Sequence, residues 1–376
     1  MDLSTSDALM RFATAPARLD GAPGPIGTSL TVEIDRLAPE TWDRLIGDFD
    51  DLALEQTACY ADGHWGPTHT SHLVLRRDGR AAADARVALM VPPGLRHGLA
   101  YVRFGPFWRR CDAAPDPSLY RALIGALIEE YCIRRGHCLS VIPRPHPVYH
   151  DLESGILAEH GFVVRRPCRD ANRYLVDLSL DEAAQMQSFE QKWRYNLRQA
   201  LKNGVEVRLC EGERSVATFT ALHEVMVKRK RYCSGDPLHL LPDLALRLPV
   251  RMRPQLILAF HGGRPVFGAV VMIMGDTAYY VFGASDDGAL PLKASYALHW
   301  WVVRWLANSG VRWYDLGGEV QEPGLRQFKK GFVGKRGTVV VMHGEHDRWV
   351  GLRGRVVADT IYGLRAARRT LRNLCA

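Results

Sequence analysis

The sequence lacks the patterns that mark disulfide-bonded, zinc-binding and membrane-spanning proteins. Its eight cysteines form no Cys-x-x-Cys pair, and several lie within apolar runs. This distribution predicts reduced core thiols rather than a disulfide framework or a zinc site. No run approaches the ~20 apolar residues that a membrane span needs, and the N-terminal segment contains no apolar core of the signal-peptide type. We therefore expect a cytoplasmic protein that is at most peripheral to a membrane.

Signatures of covalent and metal catalysis are also missing from the sequence. No Ser/His/Asp or Cys/His arrangement is apparent, which favours direct attack of one substrate on the other over a covalent enzyme intermediate. The segment HGEHD at 343–347 has no partner cluster at ligand spacing, so no metal site is expected. We also predict no tightly bound cofactor.

The sequence does contain an internal repeat, formed by 117–141 and 291–315. In each copy a Pro opens an apolar-periodic helix, a Gly ends it at the same spacing from that Pro, and a strand follows. Pro117 thus corresponds to Pro291, and we call the constant spacing between corresponding residues of the two copies the repeat offset.

The repeat extends upstream of these helices. The segments 73–90 and 256–273 both have the pattern of a strand, a tight turn and a second strand. A repeat of this length indicates a duplicated α/β domain rather than a solenoid. Duplicated domains usually meet at a cleft that holds the substrate.

The order of elements predicts mixed sheets in two tandem domains. In each repeat a mostly antiparallel meander is followed by a helix that crosses over to a parallel strand. We assign the first domain to 30–165 and the second to 166–345, followed by a basic C-terminal helix, 346–376, that packs back on the first domain. No low-complexity linker separates the halves, so we expect them to pack tightly.

Three local assignments bear on the position of a site. The segment 56–66, which carries Tyr60 and Trp65, has the pattern of a loop. The segment 180–204 has the pattern of one long helix stopped by a glycine, and the helix of the second repeat is predicted to begin near Pro291.

Five sequence blocks carry a resemblance to a known family. They are LEQTACYADGHWG (54–66), PPGLRHGLAYVRFGPFW (92–108), KWRYNLRQALKNGVEV (192–207), YYVFGASDDGALPLKASYALHWWVVRWLANSGVRWYDLGG (279–318) and GLRQFKKGFVGK (324–335). In this order they resemble the Fem family, the FemAB/FemX-like aminoacyltransferases that build peptidoglycan cross-bridges. The resemblance implies two GNAT-like domains with a cleft between them. It also implies transfer of an acyl group, typically aminoacyl from a charged tRNA, to an amine.

The resemblance places a catalytic lysine in the segment FKKGF. Lys329 matches the lysine of the family's Phe-Lys block, whose proposed role is to stabilise developing negative charge. Phe328 and Lys330 beside it are assigned to substrate binding. Asp315, at the carboxyl end of a strand, is the second catalytic candidate, because it could accept a proton or orient the incoming amine. The first repeat has Val141 at that position, and the alternative for Asp315 is a hydrogen bond to a tight Gly-rich turn.

Two glycine-containing turns are candidates for holding the acyl donor. The loop at 283–288 leads into a helix, and a helix N-terminus can bind phosphate through its free N–H groups. Asp286 and Asp287 in this loop suit a helix cap instead. The (Arg/Gln)-x-x-Gly-x-Gly/Ala run that single-domain GNAT enzymes use for coenzyme A is not found, which favours aminoacyl-tRNA over acetyl-CoA as the donor. The donor-binding candidates are Gly283, Ser285, Lys293, Gly317 and Gly318.

Basic and aromatic side chains are candidates for binding the acceptor. Arg194, Arg198 and Lys202 recur at i, i+4 and i+8 and therefore share one helix face, for which a solvated surface is the alternative. Arg229 roughly matches a family position that binds acceptor phosphate. Three aromatic residues are assigned to the acceptor cleft, with core packing as the alternative: Tyr60, Trp65 and Trp108.

The charge of the chain points to anionic partners. The net charge is +8, and the tail from Arg348 onward contains seven Arg and one Asp. An apolar stripe is predicted on the tail helix. We expect this helix to dock on the first domain or to present a basic surface to tRNA phosphates or an anionic membrane. The stripe consists of Leu352, Val356, Ile361, Leu364 and Leu371.

Together these features predict an acyltransferase. It would move an aminoacyl group from aminoacyl-tRNA to an amine of an anionic precursor, such as a peptidoglycan precursor, a peptide or a small metabolite. One alternative is a coenzyme-A-dependent N-acyltransferase of polysaccharide or natural-product biosynthesis. The other is a non-catalytic protein that binds nucleic acid or an envelope precursor.

Overall fold

A computed structural model describes residues 29–168, 171–230, 237–318 and 322–374. Within these ranges the strands form two seven-stranded sheets, ordered β1-β2-β3-β4-β5-β14-β6 and β13-β7-β12-β11-β10-β9-β8. The first sheet contains β1 (Leu30–Ile34), β2 (Thr70–Arg77), β3 (Arg80–Met90), β4 (Leu99–Arg103), β5 (Cys138–Ile142), β6 (Val163–Arg166) and β14 (Glu345–Arg348). The second contains β7 (Asn172–Asp177), β8 (Glu206–Cys210), β9 (Gln255–His261), β10 (Arg264–Met274), β11 (Thr277–Ser285), β12 (Trp313–Asp315) and β13 (Thr338–Val341).

Helices cover both sheets. Those of the first half are α1 (Pro39–Leu45), α2 (Ala58–Trp65), α3 (Pro117–Leu127), which continues as a π-helical segment to Arg134, and α4 (His150–Glu159). Those that follow are α5 (Glu182–Ser188), α6 (Gln191–Lys202), α7 (Glu213–Lys230), α8 (Leu241–Arg247), α9 (Ala289–Leu292), α10 (Ala294–Leu306), α11 (Pro323–Val333) and α12 (Leu352–Leu374). The predicted pair of mixed α/β domains is confirmed.

Each sheet has the same internal plan. Among the described strands, β4 and β5 pair in parallel in the first sheet, β11 and β12 pair in parallel in the second, and the other pairs are antiparallel. In each repeat a helix, α3 or α10, connects the two parallel strands. Its apolar positions recur every three to four residues, so one side packs on the sheet. In α3 this side is formed by Leu119, Tyr120, Leu123, Ile124 and Leu127.

The two repeats exchange their last strands. Moving β6 and β7 along the chain by the repeat offset brings them onto β13 and β14. β6 stays in the first sheet, whereas β7 crosses to the second and lies between β12 and β13. Reciprocally, β13 stays in the second sheet and β14 returns to the first, between β5 and β6. Each sheet is therefore completed by a strand from the other repeat, which ties the halves together.

A buried charge cluster reinforces this junction. Asp276, in the turn between β10 and β11, accepts hydrogen bonds from Arg144 and, at 2.9 Å, from Arg109, both of the first half. Arg144 also donates to Thr277 Oγ1 at 2.7 Å and to the carbonyl of Asp50 at 2.7 Å. The nearby guanidinium groups hold the pKa of Asp276 well below its usual value, against the opposing effect of burial.

Several local assignments from the sequence are wrong. The segment 56–66 is mostly helix α2, because the Thr57 side chain caps its N-terminus by accepting from the N–H of Tyr60 at 3.2 Å. The segment 180–204 is two helices, because Phe189 is extended and inserts its ring into the core. In the predicted helix near Pro291, a left-handed residue, Lys293, separates α9 from α10.

The described cysteines are free thiols and form no metal site. Six cysteines lie in the described ranges, and four of them are buried; Cys233 and Cys375 lie outside these ranges. The segment at 343–347 runs into β14. Within the described ranges, no three His, Cys, Asp or Glu side chains are grouped as metal ligands. None of the helices described is long and apolar enough to cross a membrane.

Candidate functional site

The second sheet opens where β11 and β12 part. The parallel pairing covers three positions and ends with Tyr279 opposite Asp315. β11 then continues to Ser285, hydrogen-bonded to β10 alone, with a bulge that leaves Val281 without a partner. Diverging parallel strands leave a crevice at their carboxyl ends, where open α/β sheets usually bind ligands, and bulges are frequent beside active sites. We call this crevice the wedge.

Lys329 lies against the turn that follows β12, where the wedge begins. It is 6% exposed, and its Nζ donates a hydrogen bond to the carbonyl of Gly318 at 2.7 Å. The ammonium group also lies 5.7 Å from the ring centroid of Tyr174. Helix α11 fixes this direction because Phe332 on the same helix is fully buried in the core of the second half, while Lys330 is exposed on the opposite side. The two adjacent lysines therefore have different environments.

The turn that receives Lys329 depends on its glycines. Gly317 has a φ of 82°, in the left-handed region that disfavours other residues. A Cβ at Gly317 would lie 3.7 Å from the Nζ of Lys329. The turn after β12 therefore positions the Gly318 carbonyl and Lys329 together.

Asp315 holds this turn in place. Its Oδ1 accepts from the N–H of Gly317 at 2.8 Å, and its Oδ2 accepts from Nη2 and Nε of Arg173 at 2.8 and 3.2 Å. The carboxylate is fully buried. Since both oxygens are engaged, the geometry favours the alternative kept from the sequence, a positioning carboxylate at a Gly-rich turn, over a proton acceptor.

Arg173 connects the site to the first half. Its guanidinium lies 5.1 Å from the ring centroid of Phe104, at the end of β4. Sequence reasoning missed Arg173 because its partner Asp315 is 142 residues away along the chain. Through Arg173, the end of β12 at Asp315 is therefore connected to the end of β4.

His299 is a second residue that the sequence did not single out. It lies on α10, buried behind the wedge, and its Nδ1 is 2.9 Å from the hydroxyl of Tyr314. Burial and, secondarily, the charge of Lys329 lower the pKa of His299 to about 3. The imidazole is therefore neutral near pH 7, and it packs against Tyr280 and Phe328 at ring distances of 4.8 and 5.4 Å. A single His within the apolar run YALHWWVV was the available signal.

The loop after β11 brings together residues that were assigned to different substrates. Arg229 donates to Ser285 Oγ at 2.8 Å and to Asp287 Oδ1 at 2.9 Å. Asp286 caps α9 by accepting from the N–H of Ala289 at 3.0 Å. The guanidinium of Arg229 therefore already has a carboxylate partner, and the short helix α9 has a side chain at its N-terminus.

Two other donor candidates contribute backbone geometry. A Cβ at Gly283 would collide with the hydroxyl of Tyr280, so glycine is required there for close packing. Lys293 is half-buried, and its left-handed backbone, with a φ of 57°, starts α10 rather than standing in a first helical turn. The remaining donor candidates, Gly317 and Gly318, form the turn at Lys329.

The basic stripe on α6 divides into different roles. The guanidinium of Arg194 donates to the main-chain carbonyls of Gln187 and Phe189, and thereby fixes the break between α5 and α6. Arg198 and Lys202 lie further along the same helix, whose buried side carries Trp193 and Leu197. Phe328 is half-buried between His299 and Tyr296.

The three aromatic candidates lie in two different places in the first half. Tyr60 and Trp65 line a small pocket in the first half, together with Glu55, His64 and Tyr101. Trp108 lies elsewhere. Its fully buried indole donates to Glu153 Oε1 at 2.9 Å in the core of the first half, which is the packing role kept as the alternative.

Among the described residues, the first half has no counterparts of the Lys329 and His299 side chains. At the repeat offset, Lys329 corresponds to Gly155 on α4, and His299 corresponds to Gly125 on α3. The described part of the first half thus repeats the scaffold of the second without its charged side chains. We infer a single candidate site, in the second half.

Comparison with known proteins first defines the class of the second half. Residues 187–330 match the family model described as an acetyltransferase (GNAT) domain. These residues span α6, α10, the wedge and Lys329. The chain therefore contains an acyltransferase domain of the GNAT type. No curated protein matches the chain.

Solved structures then define the two-domain fold. The chain is similar to the crystal structure of FemX, at 16% identity and a TM-score of 0.69, over 85% of this chain and 97% of that one. It is also similar to L-PGS from Bacillus licheniformis, at 12% identity and a TM-score of 0.56, over 83% of this chain and 92% of that one. A conserved protein of unknown function from Bacteroides thetaiotaomicron matches at 12% identity and a TM-score of 0.54, over 84% and 99%. The resemblance stated from the sequence is confirmed at the level of the fold.

Proposed function

We propose that the protein is an aminoacyltransferase that moves an aminoacyl group from aminoacyl-tRNA to an amine of an anionic precursor. The observation that carries the proposal is the position of Lys329. A buried ammonium group lies on the main-chain turn that leaves β12 at the wedge, and the pair Asp315–Arg173 fixes this turn. A pre-positioned cation of this kind stabilises an oxyanion without reorganisation during the reaction.

The proposed reaction is a direct attack of the acceptor on the donor. The neutral amine of the acceptor attacks the ester carbonyl of the aminoacyl group, and the carbonyl oxygen becomes an oxyanion that Lys329 stabilises. Collapse of the tetrahedral intermediate breaks the ester C–O bond and leaves a new amide. The proton lost by the amine ends on the leaving 3′-oxygen of the tRNA, so no oxidant or reductant is needed. Holding donor and acceptor together contributes about 7–11 kcal/mol in well-oriented reactions.

The acceptor is proposed to approach from the first half. Arg173 links the wedge to the end of β4, and the pocket lined by Tyr60 and Trp65 belongs to that half. The guanidinium groups of Arg86 and Arg103 in this pocket are already paired with carboxylates, so its aromatic rings are the groups proposed to contact the acceptor.

Replacement of Lys329 tests the catalytic assignment. Lys329→Ala should lower kcat by about 10²–10³-fold, the range found when an oxyanion donor is removed, with KM for the acceptor nearly kept. Lys335→Ala is the matched control, because Lys335 is an exposed lysine just beyond the end of the same helix and has no assigned role in the site. The measurement is transfer of radiolabelled amino acid from a charged tRNA pool to a nucleotide-linked muramyl peptide with a free amine. Equal rates for the two variants would refute the role of Lys329.

A coenzyme-A-dependent N-acyltransferase is the second candidate function. The observation that favours it is the acetyltransferase (GNAT) description of the family model over 187–330. Titration of the protein with acetyl-CoA and, separately, with charged and uncharged tRNA at two salt concentrations distinguishes the candidates. Salt-sensitive tRNA binding without coenzyme A binding supports aminoacyl transfer, since phosphate contacts weaken steeply with salt. Saturable binding of acetyl-CoA without binding of tRNA would instead indicate that acetyl-CoA is the donor.

A further inference from the structure

The C-terminal helix α12 has an inner face that is firmly docked. Ala358 is fully buried against the first half, and the Tyr362 hydroxyl donates to Ser140 Oγ at 3.0 Å. A Cβ at Gly354 would lie 2.6 Å from the carbonyl of Gly136, so the helix backbone approaches the domain closely. Arg165 of β6 donates to Asp359 at 2.9 Å. The opposite face of the helix therefore lies on the surface of the molecule.

The outer face of α12 is apolar. Leu352, Val356 and Leu364 are 71%, 61% and 60% exposed, and their spacing of four and eight residues puts them on one side of the helix. Val350, just before the helix, is 58% exposed. The stripe predicted from the sequence is therefore split, because Ile361 turns toward the domain and these side chains turn away from it; the side chain of Leu371 lies outside the described part. We call Val350, Leu352, Val356 and Leu364 the outer stripe.

Positive charge flanks the outer stripe. Arg353 is exposed beside it, and Arg355 lies 5.0 Å from the ring of the half-buried Trp349. The one acidic residue of the helix, Asp359, is neutralised by Arg165 and Arg166. The sequence adds three further arginines between 368 and 372. The helix thus combines exposed aliphatic side chains, a tryptophan and an excess of arginine.

We propose that α12 binds the surface of an anionic phospholipid bilayer, with the outer stripe inserted at the level of the headgroups. Helices with an apolar face and arginines at its edges bind in the interface plane, and their affinity rises with anionic lipid. The positive charge at the edges of the stripe complements such a surface. The proposal concerns a surface outside the wedge and holds for either acyl donor.

Two other occupants fit the outer stripe less well. In a two-fold dimer the same patch meets itself, so the flanking arginines of the two copies would face one another without a described acidic partner for the exposed Arg353. RNA would neutralise the arginines but would leave Leu352, Val356 and Leu364 against charged phosphates. A bilayer satisfies both the apolar and the cationic parts of the surface.

Vesicle co-sedimentation tests the proposal. The full chain is mixed with phosphatidylcholine vesicles and with vesicles containing phosphatidylglycerol, at low and at high concentrations of NaCl. We expect binding to the anionic vesicles that weakens at the higher salt, because salt screens the attraction between the arginines and the lipid headgroups. The triple variant Leu352→Ser, Val356→Ser, Leu364→Ser should lower the partition coefficient by about 100-fold.

A matched control separates the outer stripe from exposed apolar residues in general. Leu246 and Val250 are each 74% exposed and have arginines beside them in sequence, so Leu246→Ser with Val250→Ser should leave vesicle binding unchanged. Wild-type protein that fails to bind anionic vesicles would overturn the proposal, as would equal binding by the triple variant. So would a wild-type dimer in light scattering that the triple substitution converts to a monomer, because the stripe would then belong to a second copy. Acyl transfer with soluble substrates should be unaffected in the triple variant, which keeps this test separate from that of Lys329.

Discussion

The parallel strand pairs β4–β5 and β11–β12 derive from the same repeat but end differently. β4 and β5 pair along the whole of each strand, and the N–H of Gly105 still bonds the carbonyl of Ile142 beyond them. The side chain of Gln56 covers the end of β4 by donating to the carbonyl of Arg103. β11 and β12 pair over three positions and then part. The first sheet is therefore closed at the carboxyl ends of its parallel strands, where the second sheet is open.

Equivalent positions after the two strands show how the halves diverged. The position after β12 that receives Lys329 is Gly318, and its counterpart after β5 is Arg144. Arg144 is almost fully buried and reaches across to Asp276 of the second half. The same position thus forms the turn at Lys329 in one half and a contact that holds the two halves together in the other. The comparison indicates that the first half kept the scaffold and that the second half alone carries the candidate site.

The largest expected effect concerns the buried charge cluster at Asp276, which connects the two halves. Asp276→Asn leaves Arg144 buried without a carboxylate partner and Arg109 with Asp51 alone, and breaking a buried pair costs about 3–5 kcal/mol. Chemical denaturation should show this loss in the free energy of unfolding. Glu159→Gln, which removes an exposed partner of Arg121, is the control and should change stability little. A small effect of Asp276→Asn would mean that the first half does not depend on this contact.

A smaller effect is expected from the turn at the wedge. Asp315→Asn weakens the bond to Arg173 and loosens the Gly317–Gly318 turn, so kcat should fall by about 10- to 100-fold, as misplacement of a catalytic group does. KM for the acceptor should change less than kcat. The thermal midpoint is measured in parallel, so that lost activity is separated from lost folding. A variant with full activity would show that the turn needs no carboxylate.

Asp315 and Arg144 illustrate what could not be predicted from the sequence. The repeat and the helix–strand order are patterns that can be read along the chain, and they led to the two-domain fold. The prediction for Lys329 came from the family resemblance of the FKKGF block and stays a prediction. The roles of Asp315 and Arg144 depend on partners that are distant along the chain, so no spacing revealed them. The exchange of strands between the two sheets could not be predicted either, because the repeat offset relates β7 to β14 whichever sheet each strand joins.

Acid should destabilise the halves unequally. Burial lowers the pKa of His137, His146 and His150 in the first half to about 4, and that of His299 in the second half to about 3. An unfolded histidine binds a proton near pH 6.5, whereas these folded ones do not until lower pH. Their contribution is therefore complete above pH 6.5 and is lost as the pH falls toward 4, by up to about 1.4 kcal/mol per pH unit for each group. Burial also raises the pKa of Glu153 in the first half to about 8, so this carboxyl binds a proton in the folded state first and offsets the loss there as the pH falls. Hydrogen exchange at pH 7.5 and 5 should therefore show earlier opening around His299 in the second half; earlier opening of the first half would contradict this expectation.

The smallest effect is expected at the counterpart of Lys329. Gly155 is an exposed helix residue whose Cβ would meet no atom within 4 Å. Gly155→Ala should therefore stabilise the protein by about 0.4–1 kcal/mol and leave transfer activity unchanged. Thermal denaturation and the transfer assay measure the two quantities. Lost activity in this variant would place chemistry in the first half.

The central claim is that the acyl donor binds in the second half alone, and photo-crosslinking tests it most directly. The protein is irradiated with a photoreactive amide analogue of the aminoacyl-adenosine end of tRNA and, separately, with a photoreactive acetyl-CoA analogue, and labelled peptides are identified by mass spectrometry. We predict that the probe that binds labels peptides within 277–333, which contain β11, β12 and Lys329. Labelling confined to 99–159, around β4, β5 and α4, would contradict the account.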